Sequence, residues 1–478
     1  MRPSATRAVG VSGSLRIAGL RCRYVAYAAA MSTTSAADGA VNQTIELLQE
    51  LIRNECVNDG TVDSGNERKN ADLLQTYLEG AGLEVQRLTP FGDRTSIVAR
   101  IEGSDPTAPK LCFMGHTDVV PVNPAGWTRD PFGGELIDGE VWGRGALDML
   151  CLTSSMAVAF KQLALSGFRP KGDLIYFGVA DEEAGGTHGA EWIVDNHWDA
   201  VACDYMVTEM GGFWAGDGRS LLMSTEEKGV AWRRLTIGGT PSHGSMPYRS
   251  DNALVKAAEI VRRISSYAGT PRLDDLWRGL ITTSGLPPDL QAALLDSGRV
   301  QEALATLPPG VAGRLHACSH TTFSCNVLHA GQKTNIVPDR VELDVDVRTL
   351  PGVDNDDVDV MLRGIIGEEL MTSVSISVLQ GGSATASTTN SPLWDKLGAR
   401  VRSAYPTAEL VPGLMVGGTD GRFFRRRGTV VYGAGLFSPL VDRAAVASRF
   451  HGHDERIDVE SLALCTDLWL GLARDVVG

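Results

Sequence analysis

The clearest pattern along the first half of the chain is a series of short apolar runs, each followed at once by acidic residues or glycines. Such runs, bounded by turn residues, are typical of buried strands. They are Leu111–Met114 before His116 and Asp118, Gly172–Ala180 before Asp181, Glu182 and Glu183, and Tyr205–Val207 before Glu209. A solvated loop explains one such ending, but a repeated ending of the same polarity favours one site. The carboxyl ends of parallel strands share one edge of a sheet, where open α/β sheets bind ligands.

Apolar positions at helical spacing lie before and between these runs. Val41, Ile45, Leu48 and Ile52 recur with the period of an amphipathic helix, predicted over residues 41–53. Periodicity and turn residues predict the other elements of this part. They are a helix capped by Asn70 that ends near Glu79, helices over Thr153–Leu165 and Gly189–Asn196, and strands over Glu84–Leu88 and Ser96–Ile101. This alternation is that of an α/β domain.

At Gly229 the pattern changes to the order strand, helix, strand, strand, helix, strand. The predicted elements are Ala231–Gly238, Asn252–Tyr267, Thr321–Val327, Arg340–Thr349, Val358–Leu370 and Val374–Leu379. This βαββαβ order is the ferredoxin-like pattern, and it suits a domain inserted between two halves of the first one. Residues 269–317 interrupt it with a Pro-, Gly- and Leu-rich insertion whose role the sequence does not reveal.

We therefore predict an α/β fold with two domains. A catalytic domain with a mostly parallel central sheet spans residues 39–228 and 384–478, and the inserted ferredoxin-like domain spans residues 229–383. Residues 1–38 are a basic extension that we expect to be disordered, since residues 1–30 carry five arginines and no acid. This extension is either a targeting segment or the result of a start codon placed ahead of Met31.

Composition narrows the range of partners. The 478 residues carry a formal net charge of −14, which argues against nucleic acid or an anionic membrane as a partner. No apolar run approaches the roughly 18 residues that a membrane-spanning helix needs. The eight cysteines are scattered without a CxxC pair, as is typical of free thiols in a reducing compartment. We therefore expect a cytoplasmic protein that acts on a small molecule.

His116 and Asp118 are the first candidates for chemistry. Alternation along the strand puts both side chains on one face, and imidazole and carboxylate are good zinc ligands. Asp118 could then hold the His116 ring in place. A second acid, Asp148, follows the turn Gly143–Gly145. A His-x-Asp at a strand end also occurs for purely structural reasons, so the acids at the other strand ends are what favours a metal site.

The ordered set of motifs resembles one known family. His116-Thr117-Asp118, Gly143–Met149 (GRGALDM), Asp181-Glu182-Glu183 and Glu209 are similar to the motifs of the co-catalytic zinc hydrolases, which include carboxypeptidase G, aminoacylase and succinyl-diaminopimelate desuccinylase. The resemblance runs from about residue 40 to the C-terminus. It implies a zinc-exopeptidase-type catalytic domain and an inserted domain that serves as lid and dimer interface.

The resemblance implies two divalent metal ions, with Zn²⁺ expected and Co²⁺ or Mn²⁺ able to use the same ligands. The implied ligands are Asp148 as the bridge between the ions, together with His116, Glu183 and Glu209. A distant histidine closes the set. His451 is followed four residues later by Glu455, as in the family, and His453 is the alternative.

The same resemblance implies the catalytic and substrate-binding groups. Glu182 is the general base that takes a proton from the attacking water, and Asp118 supports the metal site. His243, in the motif Gly239–Ser245 (GTPSHGS), reaches the active site of the other subunit of a homodimer and stabilises the oxyanion. The substrate contacts are Asn335 and Arg348, which bind the substrate carboxylate, and the glycine-rich turn with Gly418 and Thr419.

The sequence thus predicts a dinuclear zinc hydrolase that cleaves an amide or peptide bond next to a free carboxylate, in N-acyl amino acids or short peptides. One alternative is a carbamoyl or ureido amidohydrolase, but the related enzymes of that type carry His in place of Glu209. The other alternative is a catalytically silent binding protein of the same fold, against which the presence of Glu182 and Asp148 argues. The acyl group, the side-chain preference and the native metal are left open.

Overall fold

A computed structural model of the chain describes residues 35–61, 63–440, 446 and 448–478. The expectations for residues 1–34 lie outside this part of the chain. Residues 35–38, assigned above to the disordered extension, belong to the first helix, which begins at Ser35 rather than near Val41. Within the described ranges, the chain forms no helix with the length and apolar character needed to cross a membrane.

The described helices and strands follow the predicted alternation. The helices are α1 (Ser35–Arg53), α2 (Arg68–Glu79), α3 (Leu150–Leu165), α4 (Trp192–Asn196), α5 (Trp198–Val201), α6 (Ala253–Ser265), α7 (Asp275–Thr282), α8 (Pro288–Leu294), α9 (Val300–Ala305), α10 (Pro309–Ser319), α11 (Asn355–Ile366), α12 (Glu368–Met371), α13 (Pro392–Ala404), α14 (Gly421–Arg425) and α15 (Val459–Val477).

The strands connect these helices into two main sheets and two small ones. They are β1 (Val85–Phe91), β2 (Arg94–Ile101), β3 (Leu111–His116), β4 (Glu135–Ile137), β5 (Glu140–Trp142), β6 (Leu174–Val179), β7 (Tyr205–Thr208), β8 (Phe213–Trp214), β9 (Ser220–Glu227), β10 (Gly229–Val230), β11 (Arg233–Gly238), β12 (Ser242–His243), β13 (Thr322–Ala330), β14 (Ile336–Val337), β15 (Arg340–Thr349), β16 (Val374–Val378), β17 (Thr385–Ala386), β18 (Glu409–Met415), β19 (Val430–Gly433) and β20 (Arg456–Asp458).

The largest sheet carries the strand ends that the sequence singled out. In the described part of the chain it has ten strands, in the order β1-β2-β6-β3-β7-β19-β9-β17, with β8 and β18 also paired to β9. Strands β6, β3, β7 and β19 run parallel to one another. The carboxyl ends of β3, β6 and β7 therefore meet at one edge. This confirms the predicted α/β fold with a mostly parallel central sheet.

Helices cover both faces of this sheet. Along β3, Leu111 and Phe113 pack on the side of α1, α3 and α15, whereas Cys112 and Met114 pack on the side of α4 and α14. Successive residues of a strand point to opposite faces, so a strand covered on both sides has a continuous apolar run. Because every residue of β3 is buried, the strand holds His116 rigidly at its end.

A second sheet lies in the part of the chain predicted as the inserted domain. Among the described residues it has five strands, in the order β13-β15-β11-β16, with the short β10 also paired to β15. Neighbouring strands are antiparallel, and α6 and α11 pack on it through residues such as Ile260 and Leu362. The elements follow the predicted βαββαβ order. The division into a catalytic domain and an inserted lid stays a prediction.

The insertion at 269–317 folds into helices α7 to α10. Their core surrounds the buried Trp277, whose indole N–H donates to the carbonyl oxygen of Leu294 at 3.0 Å. The same core includes Leu414 of β18, a strand paired to the largest sheet. Arg272 pairs with Glu226 of β9 at 2.6 Å. The insertion therefore joins the part of the chain that forms the second sheet to the first sheet.

Two predicted helix boundaries are wrong for physical reasons. Asn70 does not cap α2, because the helix begins at Arg68 and the buried Asn70 amide donates to the carbonyl oxygen of Thr117 at 2.7 Å. The helix predicted over residues 358–370 is divided into α11 and α12 by Gly367, whose φ of 86° interrupts the helical conformation. Asn252 does cap α6, since its side chain accepts from the Leu254 N–H at 2.9 Å.

Candidate metal centre

The end of β3 delivers His116 to the buried edge of the sheet. Its Nδ1 lies 2.9 Å from the main-chain oxygen of Asp118, which leaves Nε2 to face the site. Thr153 of α3 donates to the carbonyl oxygen of His116 at 2.7 Å. The preceding residue must be Gly115, since a Cβ there would lie 2.5 Å from Thr153 Oγ1. Strand and helix together fix the orientation of the imidazole.

Asp148 presents its two carboxylate oxygens to two different histidines. Oδ1 lies 3.3 Å from His116 Nε2, and Oδ2 lies 3.2 Å from His451 Nε2. A further carboxylate accompanies each histidine: Glu209 Oε2 is 3.8 Å from His116 Nε2, and Glu183 Oε2 is 3.4 Å from His451 Nε2. The result is two adjacent sets of candidate ligands that share Asp148. One carboxylate placed between two ions is the arrangement of a two-metal site.

A buried ion pair joins the two loops that carry Asp148 and His451. Glu455 has no exposed surface, and its Oε2 lies 2.6 Å from Arg144 Nη1. Its other oxygen accepts from the main-chain N–H groups of Leu147 at 2.7 Å and Asp148 at 3.0 Å. Arg144 also donates to the carbonyl oxygen of His451 at 3.4 Å. The spacing between His451 and Glu455 thus has a structural reason. Glu455 holds the loop that carries Asp148, which lies next to His451.

Of the two candidate histidines after residue 450, the structure brings His451 to the site. Its Nε2 lies within 3.4 Å of two carboxylates. His453 is exposed, and its ring lies against Gly126, where a Cβ would come within 1.9 Å of it. The geometry therefore favours His451, whose role as a metal ligand stays a prediction.

The turn after β6 separates the acids that follow it. Asp181 adopts a left-handed conformation with φ of 71°, and Gly185 and Gly186 also have positive φ values. Asp181 is buried, and its Oδ2 accepts from the His188 N–H at 2.7 Å. Asp181, which the sequence left without a role, therefore stabilises the turn.

The two glutamates of this turn both face the site. Glu183 is the neighbour of His451 described above. A carboxylate oxygen of Glu182 lies within 4.8 Å of the ligand atoms of both His116 and Glu209. Distance alone would allow Glu182 to be a ligand as well as a base, so a measurement must separate these two roles.

Asp118 supports both halves of this arrangement. Its Oδ2 accepts from the Glu183 N–H at 3.0 Å and from Asn58 Nδ2 at 2.9 Å. Its Oδ1 lies 3.6 Å from His116 Nδ1, farther than the main-chain oxygen of the same residue. Asp118 thus contacts the His116 ring chiefly through its backbone, and its carboxylate orients the chain at Glu183.

Burial of so many carboxyl groups shifts their pKa values. It raises the pKa of Glu182 well above the usual value and the pKa of Glu209 to about 8. Burial alone would lower the pKa of His116, but hydrogen bonds to carboxylates raise it well above the usual range. Hydrogen bonds to Asp148 and a glutamate raise the pKa of His451 to about 10. The raised pKa values of both histidines show that the clustered carboxylates attract positive charge, and a divalent ion would supply that charge where the imidazoles bind it in their neutral form.

These donors fit divalent metal ions. The ligand atoms of His116, Asp148 and Glu183 lie within 4.8 Å of one another, as do those of His116, Glu182 and Glu209. Glu183 Oε1 is buried without a hydrogen-bond partner, which is costly for a carboxylate unless a cation binds it. Imidazole nitrogen and carboxylate oxygen are ligands of zinc, and cobalt and manganese accept them too.

Some of the predicted substrate-binding residues lie next to these donors. Arg348 and Gly418 line a cavity of about 700 Å³ that is also lined by Glu182, Glu183 and His451. Thr419 is buried beside it, and its N–H donates to Glu227 at 2.5 Å. The turn at Gly418 and Thr419 therefore lies at the cavity, although the Thr419 N–H is already engaged, and its contact with substrate stays a prediction.

His243 and Asn335 are placed elsewhere in the chain. They lie on the ribbon formed by β12 and β14, where Gly244 N–H donates to the Asn335 carbonyl oxygen at 2.9 Å. His243 is exposed, and its Nδ1 lies 2.7 Å from Ser245 Oγ. Neither residue lines the cavity. Within one chain the structure does not bring them to the candidate metal ligands, so the predicted role of His243 requires a second subunit.

Asp420 is a buried acid that the sequence did not assign. It is 1% exposed, and neither of its carboxyl oxygens has a hydrogen-bond partner. Gly186 packs against it so closely that a Cβ would lie 2.2 Å from Asp420 Oδ1. Burial raises its pKa to about 7. The one feature of the sequence that could have indicated a role for Asp420 is its position directly after the glycine-rich turn.

A buried polar network behind the site was also missed. Arg94 pairs with Glu67 at 2.6 Å and lies 3.5 Å from Asp181. Asn58 links this pair to Asp118, since it accepts from Arg94 at 3.1 Å and donates to Asp118 at 2.9 Å. These residues belong to no motif that is recognisable in the sequence, because only the packing of the folded chain brings them together.

Comparison with known proteins agrees with this geometry. A sequence model described as Peptidase family M20/M25/M40 matches residues 112–475. An N-fatty-acyl-amino acid synthase/hydrolase from Xenopus tropicalis is 26% identical over 467 residues, covering 92% of this chain and 87% of that protein. The succinyl-diaminopimelate desuccinylase of Granulibacter bethesdensis is 26% identical over 446 residues, covering 92% and 99%. A metallo-carboxypeptidase structure from Sulfolobus solfataricus has the same fold, with a TM-score of 0.68 at 18% identity, over 91% of this chain and 98% of that one.

Proposed function

Because the chain belongs to peptidase family M20/M25/M40, we propose that it hydrolyses N-acyl amino acids or short peptides at the amide bond next to a free carboxylate. Family membership and the named relatives make the chain a metal-dependent hydrolase of amide bonds. The finer substrate class is supported by the names of the relatives, which act on N-fatty-acyl amino acids and on succinyl-diaminopimelate.

The main support for the proposal is that the two carboxylate oxygens of Asp148 face two different histidines. Its Oδ1 is next to His116 and its Oδ2 is next to His451, at 3.3 Å and 3.2 Å. Two ions would be held by His116, Asp148 and Glu209 on one side, and by Asp148, Glu183 and His451 on the other. Zn²⁺ is the expected metal, and Co²⁺ and Mn²⁺ suit the same donors.

The chain's own groups account for positioning and proton transfer. When bound, divalent ions polarise a carbonyl group and lower the pKa of water. Glu182 faces the cavity beside the ligands, and burial keeps its pKa high, which suits a group that takes a proton from water. It then returns the proton to the leaving amine nitrogen. The Asp181 carboxylate accepts from the His188 N–H and so stabilises the turn that carries Glu182.

We further propose a homodimer in which the second subunit completes the site. His243 is exposed on a ribbon outside the cavity of its own chain, and Met246 and Tyr248 beside it are 67% and 85% exposed. Large apolar side chains exposed together often mark an interface. A cytoplasmic location is supported by the described cysteines, which are free and mostly buried.

The first experiment is hydrolysis by the zinc-loaded protein of a panel of N-acetyl, N-succinyl and long-chain N-acyl amino acids, dipeptides and a ureido acid. Cleavage of an N-acyl amino acid or a dipeptide is the expected result. Cleavage of the ureido acid alone would instead favour the carbamoyl-type reaction, which the carboxylate at Glu209 argues against. No cleavage across the panel, with metal bound, would point to a silent relative.

Glu182→Gln separates the base from the ligands. Loss of a positioned general base lowers the rate by about 10²–10⁴. We expect this loss of kcat while the zinc content, measured by mass spectrometry of the metal, stays that of the parent protein. Glu191→Gln is the matched control, since Glu191 lines the same cavity without a role in the proposal. Unchanged hydrolysis by Glu182→Gln, or loss of zinc, would mean that Glu182 is not the base.

A further inference from the structure

The cavity beside the candidate metal ligands is lined by both acidic and cationic side chains. The acids are Glu182, Glu183 and Glu191. The cationic side chains that line the cavity are Lys228, Arg348, Arg422 and Arg426. Divalent ions would compensate Glu182 and Glu183, so that these four cations would then face one remaining acid of the lining, Glu191. The volume of about 700 Å³ lies within the range of roughly 300–1,000 Å³ that is typical of small-molecule sites.

Three of these cations are already engaged within the chain. Arg348 contacts both carboxylate oxygens of Asp346, at 2.8 Å and 3.3 Å. Arg422 donates to the carbonyl oxygens of Thr419 and Gly185, each at 2.7 Å. The three hydrogen bonds of Lys228 Nζ go to Ala317 O, His320 O and Thr322 Oγ1, at 3.0, 2.7 and 3.1 Å.

Arg426 differs from these three. In the described part of the chain its guanidinium makes no hydrogen bond, and no carboxylate lies within 4.0 Å of it. It lies over the ring of the buried Phe423, 5.6 Å from the ring centroid, which limits its freedom. Burial and the neighbouring Arg422 lower its pKa, whereas the charges of Glu191, Glu227 and Asp195, each farther than 4.0 Å, act in the opposite direction.

A glycine of the cavity lining lies next to this guanidinium. A Cβ on Gly382 would be 3.4 Å from Arg426 Nη2, so a side chain at this position would occupy space beside the guanidinium. An unpaired guanidinium in a concave site is shaped to bind a carboxylate through two parallel hydrogen bonds.

We propose that Arg426 forms a second anionic subsite, so that the preferred substrate carries a carboxylate in addition to the one next to the scissile amide. This inference rests on the proposed function and narrows its substrate class to dianionic N-acyl amino acids. The second carboxylate can belong to a dicarboxylic acyl group or to an acidic side chain. Both share the chemistry that Arg426 recognises, and the substrates of the test distinguish them.

The test compares N-acetyl-leucine, N-succinyl-leucine and N-acetyl-glutamate. A hydrogen-bonded charge is worth about 1.5–3 kcal/mol, so Arg426→Ala should lower the kcat/KM ratio of the preferred dianionic substrate to N-acetyl-leucine by about 10- to 100-fold. Arg426→Lys should recover part of the ratio. Arg427→Ala is the matched control, because Arg427 donates to Val194 O at 3.0 Å and lines a different cavity. An unchanged ratio in Arg426→Ala, or an equal drop in Arg427→Ala, would overturn the subsite.

Calorimetric titration with glutarate and butyrate tests the subsite without turnover. Wild-type zinc-loaded protein should bind glutarate about tenfold or more tightly than butyrate, and Arg426→Ala should lose that preference. Equal affinity of the wild type for both acids would overturn the subsite whatever the hydrolysis panel gives. A glutarate preference that depends on Arg426, together with no hydrolysis of any substrate, would contradict the proposed function and leave the subsite standing.

Discussion

At the scale of single residues, the site depends on which atom of each side chain faces which partner. Asp148 lies between two histidines, and its loop is held in place by Glu455, which accepts hydrogen bonds from the N–H groups of residues 147 and 148. Asp118 acts through both its backbone oxygen and its carboxylate. Positioning of this kind by neighbouring groups is what tunes metal ligands in proteins.

The unfolding free energy of the Asp420→Asn variant, relative to that of the wild type, is predicted to increase as the pH rises. The folded chain holds the pKa of Asp420 at about 7, above the value of about 3.9 in an unfolded chain. The unfolded chain therefore releases this proton first, and wild-type stability from this group falls between about pH 4 and pH 7. Asparagine does not titrate. Between pH 5 and pH 8 the variant should gain about 1–3 kcal/mol in unfolding free energy, measured by denaturant titration with a chelator present.

Asp105→Asn is the control for this measurement. Asp105 lies in an exposed loop, and its hydrogen bonds to Thr107 lower its pKa, so it is ionised in both states over this pH range. Its variant should show the same difference from the wild type at both pH values. The same constancy in Asp420→Asn would mean that a counter-charge compensates this buried carboxyl group.

At the scale of elements, the main additions to the predicted pattern are helices α7 to α10. Their core is built on Trp277 and extends to Leu350 after β15 and Leu414 in β18, which belong to different sheets. The pair of Arg272 and Glu226 adds a polar link at 2.6 Å. The insertion should therefore unfold together with the rest of the chain.

Trp277→Ala is predicted to destabilise the whole protein. Truncation of a large, fully buried aromatic side chain costs about 3–5 kcal/mol, and here it also removes the hydrogen bond to Leu294. Thermal and denaturant unfolding should show one shifted transition. Val311→Ala on α10 is the control, since this side chain is 44% exposed and its loss should change stability by less than about 0.5 kcal/mol. A separate early transition in Trp277→Ala would show that the insertion unfolds independently.

At the scale of the whole molecule, the open question is how many chains make one site. His243 lies outside the cavity of its own chain, so a single chain would lack the oxyanion-stabilising group that the family resemblance implies. An exchange of residues between the two subunits of a symmetric dimer would make each site depend on both chains.

Mixed dimers of two inactive variants test this arrangement. His243→Ala and Glu182→Gln should each be nearly inactive alone, while both keep their zinc. When the two variants are unfolded together and refolded, random pairing should restore about a quarter of wild-type activity, because each mixed dimer has one site with both residues intact. No recovery would mean that His243 acts within its own chain or not at all. Light scattering of the parent protein gives the oligomeric state independently.

Much of the fold was readable from local patterns. The apolar runs at Leu111–Met114 and Tyr205–Val207 predicted buried strands, and the acids after them predicted the edge where the site lies. Strand alternation and helix periodicity are properties of neighbouring residues, so they are visible in the sequence. Helix ends were less accurate, as at Asn70, because a tertiary hydrogen bond to Thr117 took the side chain that was expected to cap the helix.

The amino-acid sequence by itself determined the order of strands and helices, the acids and histidines available for metal, and the family motifs that connect them. Only the tertiary structure decided that Asp148 lies between His116 and His451, that His453 lies away from it, and that Arg426 makes no side-chain hydrogen bond or ion pair among the described residues. The reason is physical. These contacts join segments up to about 300 residues apart, and their distances follow from the packing of whole layers rather than from any local spacing.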